Sequence, residues 1–233
     1  MGQAFFSLSL GVGTILTYAS YVRKDENLLA SGVGTATADL LFAILAGFAI
    51  MPAVFAAGIA PGAGPGLVFD TLPFIFNKMG AGVPWISAIV AILFFLTILV
   101  AALTSAISMF EVGVAFLTEE KGFSRFLATL TVALGCWIVG ILCSLSFGPL
   151  SGVHLFGKSI FDFLDGLCSN WLMPFGGLLF TLFVGWKMSR QDVEDEFTNG
   201  GTVNQKAFPV VWFLIRYIAP VGIVVIFLTN LLL

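Results

Sequence analysis

Long apolar stretches alternate with short polar ones along this chain, and the pattern divides it into six candidate membrane spans. The stretches cover residues 1–22, about 33–59, 85–117, 126–147, a part of 160–186, and about 208–233. A helix needs roughly 20 apolar residues to cross a bilayer. The third stretch is much longer than that, so we expect it to tilt or to extend into the cytoplasm. The pattern predicts an all-α membrane protein.

The first stretch differs from the others because small and polar residues interrupt it. Ser7, Ser9, Gly11 and Gly13 place two hydroxyls and two helix-weakening glycines within seven residues. A broken helix persists inside a membrane only where protein or water satisfies its freed N–H and C=O groups, and such groups can bind ions. A face of small residues for close helix packing is the alternative. The sequence leaves both interpretations open.

Basic residues in the connecting segments are distributed unevenly between the two sides of the membrane. Lys78 and Lys158 fall on one side, and Arg216 lies inside the last stretch. The other side has seven, which are Arg23, Lys24, Lys121, Arg125, Lys187, Arg190 and Lys206. Cytoplasmic loops carry the excess of Lys and Arg, so the second side is predicted to be cytoplasmic. Both termini are then external, and because no signal peptide is visible we expect that an upstream part is missing.

Two connecting segments have a distinct character. Residues 60–84 mix Pro and Gly turns with an apolar core over 67–76 that needs burial, so we expect an ordered external lid. Residues 190–206 are strongly polar, and acidic residues there precede an Asn-Gly-Gly sequence. This composition predicts a short cytoplasmic helix and turn, which is most often a plain solvated connector.

Composition supports a membrane protein and argues against an enzyme. Of the 233 residues, 59% are hydrophobic and 10% are charged, whereas a soluble domain is roughly 45–50% apolar and about 25% charged. His154 is the single histidine, and no zinc, nucleotide or serine-hydrolase motif occurs. Cys136, Cys143 and Cys168 lack metal-ligand spacing, and we expect them to be small buried apolar side chains. We therefore do not expect an enzyme.

Polar side chains inside the apolar stretches are the remaining candidates for chemistry. Asp39 and Glu111 are costly to place in a bilayer, by about 2.5–3.5 kcal/mol at its centre. Each is either part of a sodium site or proton relay, or a protonated acid bonded to a neighbouring helix. Thr104 and Ser105 offer oxygen ligands to a hard cation, but such hydroxyls very often bond to their own helix. Asp165 lies at an external helix end, where a solvated charge is the default interpretation.

Four segments together resemble the second half of a bacterial member of the neurotransmitter:sodium symporter family. GQAFFSLSLGVGTILTYASYVRK is similar to the family's sixth span, whose unwound centre binds substrate and sodium. GPGLVFDTLPFIF resembles its fourth external loop, AALTSAISMFE its eighth span, and NGGTVNQKAFPVVWFLIRYIAP the start of its eleventh. The resemblance implies the second five-span inverted repeat of the broken-helix transporter fold over 1–186, a cytoplasmic connector over 187–207 and a final span over 208–233. The resemblance implies that the family's first five spans are not part of this sequence.

The resemblance also implies roles for individual residues. The implied substrate contacts are Phe6, Ser7, Ser9, Val12, Ser105 and Met109, and the implied sodium ligands are Ser7, Asp39, Ala101, Thr104 and Ser105. Asp39 departs from the more usual Asn, and its carboxylate would supply charge that other members obtain from chloride. Val12 is smaller than the Phe often found there, which leaves room for a larger substrate side chain.

Gates, partners and function follow from the same resemblance. Asp165 matches the acidic half of the external gate, and Glu119, with Tyr21 beside it, matches that of the cytoplasmic gate. The expected function is sodium-coupled amino-acid symport by alternating access, with the need for chloride left open. The expected partners are a small amino acid, membrane lipid and the missing first half, with no nucleic acid, in the bacterial inner membrane. The alternative is a non-transporting fragment or one chain of a split transporter.

Overall fold

The computed structural model describes residues 2–23, 25–56, 58, 66–79 and 84–232, with side chains between Phe5 and Thr229. These residues are almost entirely helical. The helices are α1 (Gly2–Ser7), α2 (Thr14–Ser20), α3 (Leu28–Ala56), α4 (Leu72–Met79), α5 (Pro84–Glu119), α6 (Arg125–Leu145), α7 (Ile160–Gly166), α8 (Met173–Leu182), α9 (Arg190–Phe197), α10 (Phe208–Phe213) and α11 (Ala219–Leu232). A short antiparallel hairpin of β1 (His154–Leu155) and β2 (Lys158–Ser159) precedes α7.

Wider π-helical turns continue several of these helices. They are Leu67–Thr71 before α4, Leu167–Leu172 between α7 and α8, Phe183–Lys187 after α8, and Leu214–Ile218 between α10 and α11. Such turns appear where one additional residue is accommodated within a helix. They allow the fifth and sixth apolar stretches each to run on as one long helical segment.

Five helical segments in the described residues are long and apolar enough to cross a membrane. They are Leu28–Ala56, Pro84–Glu119, Arg125–Leu145, Ile160–Lys187 and Phe208–Thr229. Together with the interrupted first stretch, they account for the six predicted stretches, although α3 begins earlier than expected. The prediction of an all-α membrane fold is confirmed.

Serine is the N-cap residue of three of the described helices. Ser124, Ser159 and Ser189 each accept a hydrogen bond from the backbone N–H three residues further on, at the start of α6, α7 and α9 respectively. This contact satisfies one of the N–H groups that a helix leaves unpaired at its first turn. The serines therefore set where each helix starts after a polar turn.

The described residues form two compact units, Met1–Gly34 with Ser108–Leu233 and Thr35–Ile107, and each is described by itself. In the second unit the predicted lid segment is helical, and Leu72 and Ile75 are buried against Val54 of α3. Phe76 packs edge-on against Phe94 of α5, with ring centroids 5.4 Å apart. Residues 60–65 and 80–83 of the predicted lid lie outside the described residues. The lid role itself stays a prediction.

In the first unit, α8 packs against both α1 and α11. The π turns that follow α8 and precede α11 also meet, because a Cβ built on Gly185 would lie 3.0 Å from the Cα of Arg216. The indole Nε1 of Trp186 donates to the carbonyl of Arg216 at 3.1 Å, and the guanidinium lies over the Trp186 ring at 4.7 Å. This contact places Arg216 level with the last turn of the fifth span.

Many apolar side chains are uncovered by the described part of the chain. Phe48 of α3 is 74% exposed and Phe126 of α6 is 79% exposed. The expectation that the cysteines are buried is wrong for Cys136 and Cys168, which are exposed, and Cys143 is half-buried. The physical reason is that apolar composition in a membrane helix does not distinguish a face that packs on protein from one that meets lipid.

Candidate functional site

The first stretch is a broken helix. α1 ends at Ser7, residues 8–13 form irregular turns, and α2 begins at Thr14. Ser9, Gly11 and Gly13 have φ values of 49°, 86° and 97°. These left-handed conformations are readily adopted by glycine but are uncommon for serine. The geometry therefore favours the broken-helix interpretation of the serine and glycine cluster over a regular packing face.

Few backbone hydrogen bonds hold the unwound segment. The N–H groups of Ser9, Leu10 and Val12 donate to the carbonyls of Phe6, Phe5 and Ser9 respectively, at 3.0–3.4 Å. Within the described residues, no backbone N–H donates to the carbonyls of Gly11 and Val12. Such carbonyls are able to coordinate a cation, and the N–H groups at the start of α2 are able to meet an anion.

Glycines hold the unwound segment against α8. A Cβ built on Gly176 would lie 2.2 Å from the carbonyl oxygen of Gly11, and one built on Gly11 would lie 2.1 Å from the carbonyl oxygen of Met173. A Cβ on Gly177 would lie 2.6 Å from the ring of Phe5, which is buried. The backbones of the two segments are therefore in direct contact. The alternative interpretation, in which small residues allow close helix packing, also applies at this contact.

The predicted substrate contacts are distributed over the two units. Phe6, Ser7, Ser9 and Val12 lie in or next to the unwound segment, and Met109 lies on α5 in the same unit. Ser105 lies four residues before Met109, on the part of α5 that belongs to the second unit. Phe6 is 58% exposed and Val12 is 37% exposed, so both side chains are accessible.

The predicted sodium ligands other than Ser7 belong to the second unit. Asp39 lies on α3 and is half-buried, and Ala101, Thr104 and Ser105 share one face of α5 because they are three and four residues apart. The Thr104 hydroxyl donates to the carbonyls of Val100 and Ala101 at 3.1 and 2.9 Å. A hydroxyl bonded to its own helix is the alternative that the sequence leaves open for Thr104. The lone pairs of the hydroxyl oxygen stay available in this arrangement, and they suit a hard cation.

The predicted gate residues have different surroundings. Asp165 is exposed on α7, where Ser169 approaches it at 3.5 Å. Glu119 is exposed at the last residue of α5. The hydroxyl of Tyr21 donates to Glu111 at 3.1 Å, so its hydrogen-bond partner is Glu111 and not the neighbouring gate acid.

Glu111 forms an ion pair with Arg125 that the sequence patterns did not predict. Nη2 of Arg125 lies 2.9 and 3.0 Å from the two carboxylate oxygens of Glu111. The tyrosine, the glutamate and the arginine thus join α2, α5 and α6 at the predicted cytoplasmic side. The contact with Arg125 is an arrangement that neither sequence-based interpretation of Glu111, as part of a sodium site or proton relay or as a protonated acid, included. No periodic pattern could have found the partner, because Arg125 reaches back across the turn from the first residue of α6.

An apolar cavity of about 540 Å³ adjoins the unwound segment within the first unit. Its lining comes from the unwound segment, α2, α8 with its following π turn, and α11. Representative lining residues are Leu10, Leu16, Phe180, Val184, Ala219 and Ile223. The side chain of Thr14 is buried nearby in α2, and its hydroxyl has no hydrogen-bond partner among the described residues.

Comparison with known proteins identifies the family. The profile of the sodium:neurotransmitter symporter family matches residues 1–233. The chain belongs to the sodium:neurotransmitter symporter family. An uncharacterized sodium-dependent transporter of Bacillus subtilis, YhdH, is 43% identical over 230 residues, and one of Haemophilus influenzae is 36% identical over 233 residues. The crystal structure of MhsT in complex with L-phenylalanine is similar with a TM-score of 0.88 at 40% identity, over 99% of this chain.

These relatives confirm several of the predictions. The chain is a member of a sodium-dependent transporter family and not an enzyme, and its fold is that of the second half of such a transporter. It spans 49% of the Bacillus and Haemophilus relatives and 51% of MhsT, which is consistent with a C-terminal half. Dependence on chloride appears in the names of only some symporter relatives, such as the rabbit creatine transporter at 28% identity.

Proposed function

We propose that this chain is the C-terminal part of a sodium-coupled amino-acid symporter that works by alternating access. The observation that carries the proposal is the unwound segment at residues 8–13, whose carbonyls at Gly11 and Val12 accept no hydrogen bond from the described backbone. Peptide groups without backbone hydrogen-bond partners are typical of binding sites in transporters with broken helices. The bacterial inner membrane is the proposed location.

The proposed substrate is an amino acid with a sizeable side chain. The similar structure of MhsT is a complex with L-phenylalanine. In this chain Val12 presents a small side chain at the proposed pocket, beside Ser9 and Phe6 of the unwound segment. Ser105 and Met109 of α5 are the proposed contacts to the substrate side chain.

The proposed sodium sites use oxygen ligands. Ser7 and Asp39 would form the first site, and the carbonyl of Ala101 with the hydroxyls of Thr104 and Ser105 would contribute to the second. Sodium binding would order the unwound segment before the amino acid binds. Closure then requires that the bound sodium and amino acid favour the closed state over the open one, since only differential affinity shifts such an equilibrium.

The proposed gates lie at the two ends of the site. Asp165 would act on the external side, with a basic partner from the missing half. On the cytoplasmic side Glu119 would pair with a basic residue of the missing half. Tyr21 would stabilise the closed gate through its hydrogen bond to Glu111, which in turn pairs with Arg125. These contacts join the inner end of α2 to α5 and α6, so they can respond when α2 moves.

Sodium-dependent uptake of radiolabelled amino acids into proteoliposomes tests the proposal. The chain alone is expected to show no uptake. The chain assembled with the five preceding spans of its own transporter is expected to show uptake that requires sodium, with a panel of amino acids identifying the substrate. Absence of sodium-dependent uptake from the assembled protein would falsify the proposal.

One chain of a split transporter is the second candidate, with a non-transporting fragment as its inactive form. The coverage of about half of the Bacillus relative and of MhsT, and the open apolar cavity beside α2, fit it as well as they fit the first proposal. An adjoining upstream reading frame that encodes five spans with a broken first helix would distinguish a split transporter from a fragment.

A further inference from the structure

The connector between α9 and α10 is a compact block and not a plain solvated link. Thr198 is 2% exposed, and its hydroxyl donates to the carbonyl of Glu194 at 2.6 Å and accepts from the N–H of Gly201 at 3.0 Å. Its carbonyl accepts from the N–H groups of Thr202 and Val203. The turn at residues 198–203 is therefore fixed by its own hydrogen bonds.

Two asparagines of this block bind the loop that follows α2. The side-chain amide of Asn204 donates to Oδ1 of Asn27 at 2.6 Å, and that of Asn199 donates to the carbonyl of Glu26 at 3.1 Å. Both asparagines have left-handed backbones, with φ values of 56° and 49°. Asparagine tolerates this backbone conformation better than most residues. At both positions it therefore allows the turn, and its side chain donates the hydrogen bond to the loop after α2.

The hydrogen-bond network determines which atom of Asn27 faces Asn204. Oδ1 of Asn27 also accepts from the backbone N–H of Ala30 at 3.0 Å and so caps the start of α3. Only the oxygen of the Asn27 side chain can accept both bonds, and the atom of Asn204 that meets it must be the NH₂ group. Asn204 is therefore the donor in this pair.

We propose that Asn199 and Asn204 are positioning residues that hold the inner half of the broken helix for transport. The inference rests on the proposed function, because it assigns them a role in sodium-dependent closure. α2 has seven residues, and a helix of that length does not maintain its own position. The outer end of α2 joins the irregular unwound segment, so we expect contacts at its inner end to contribute most to its position. Glu26 and Asn27 lie in the short loop that follows this inner end.

The same substitution, Asn to Asp, is expected to have different effects at the two partners of the Asn204–Asn27 hydrogen bond, because one is the donor and the other the acceptor. Asn27→Asp keeps an oxygen acceptor for Asn204 and for the N–H of Ala30, so it should behave like the native protein. Asn204→Asp tolerates the left-handed backbone but places a carboxylate against Oδ1 of Asn27. Asn204→Gly keeps the backbone conformation and removes the donor. Gln205→Ala is the matched control, since Gln205 bonds to Gly201 within the same block.

Two measurements on the chain assembled with its first half read out the positioning role. Hydrogen exchange over residues 25–31 reports the contact directly. Alkylation of a cysteine at Ser20→Cys, the last residue of α2, reports access to the inner half in a protein whose native cysteines are replaced by alanine. Asn204→Asp and Asn204→Gly should raise both rates in the presence of sodium by about five- to tenfold, the range for losing one hydrogen bond.

Several results would overturn the inference. These are equal behaviour of Asn27→Asp and Asn204→Asp, an unchanged exchange rate in the Asn204 variants, or faster exchange without faster alkylation. An assembled native protein that takes up no amino acid contradicts the proposed function instead. Exchange and alkylation still decide the positioning role in that case, because neither measurement requires uptake.

Discussion

Gly11 and Gly176 leave no room for a side chain where the unwound segment meets α8. The built Cβ of Gly176 would lie 2.2 Å from a backbone oxygen, which cannot move aside as the end of a flexible side chain can. Gly11 has in addition a φ of 86°, so a substitution there is strained by its own backbone. Gly176 is therefore the cleaner position at which to test the contact.

Gly176→Ala should lower the free energy of unfolding of the chain by about 1–3 kcal/mol, the usual effect of overpacking. Unfolding in mixed detergent micelles measures it. Gly135→Ala on α6 is the control, because nothing lies within 4 Å of its built Cβ. There alanine should be neutral or stabilising by up to about 1 kcal/mol through helix propensity. Equal effects of the two substitutions would contradict the close contact.

Asp39 is the residue at which ion dependence should change. In the assembled transporter, Asp39→Asn removes a carboxylate that is proposed to substitute for chloride. Sodium-dependent uptake should then fall severalfold when gluconate replaces chloride, whereas the native protein should be indifferent to that exchange. Identical chloride responses of the two proteins would rule out the charge role.

At the scale of elements, the sequence predicted what depends on local chemistry. Two glycines and two serines made a break one of the two interpretations of the first stretch, and the apolar residues within 67–76 indicated an ordered segment, which is helical at Leu72–Met79. Contacts between distant segments were not predictable. The pairing of Glu111 with Arg125, the fit of Gly176 against Gly11 and the contact between Asn204 and Asn27 depend on tertiary packing, which single-sequence patterns do not encode. The substrate and sodium positions came from family resemblance and stay predictions.

The lid segment should depend on its two buried residues. Ile75 is 3% exposed, so Ile75→Ala should cost about 2–5 kcal/mol and release α4 from α3. Hydrogen exchange over residues 67–79 would then increase. Phe74→Ala, at a residue that is 54% exposed, should leave the exchange rates nearly unchanged. Loss of protection in both variants, or in neither, would argue against this packing.

At the scale of the whole molecule, the chain has surfaces suited to a further set of helices. It spans about half of the relatives it matches, and an apolar cavity of about 540 Å³ opens beside α2 and α11. This cavity fits a protein whose first five spans complete the structure.

Filling the cavity should separate assembly from folding. Ala219→Phe places a ring in this cavity, where we expect a helix of the first half to pack. Co-purification of the chain with the first half should fall about tenfold, because the ring would overpack the contact between them. The unfolding temperature of the chain alone should stay similar, because the ring enters open space there. Val139→Phe also introduces a ring, but on an exposed face of α6 outside the cavity lining, and is the control. Undiminished assembly of Ala219→Phe would show that the cavity is not the contact.

The two π turns that meet at Gly185 and Arg216 make the final span sensitive to residue number. A wide turn holds one residue more than regular winding requires. Deleting a single residue from 214–218 would convert this turn to regular winding and leave later side chains nearly in their present directions. Deleting one from 219–222, where no wide turn absorbs the change, would rotate every later side chain by about 100°. Ile223, now 7% exposed, would then turn away from its present neighbours. Spacing in this span is thus constrained as strictly as side-chain identity, and conservative substitutions alone would never detect that constraint.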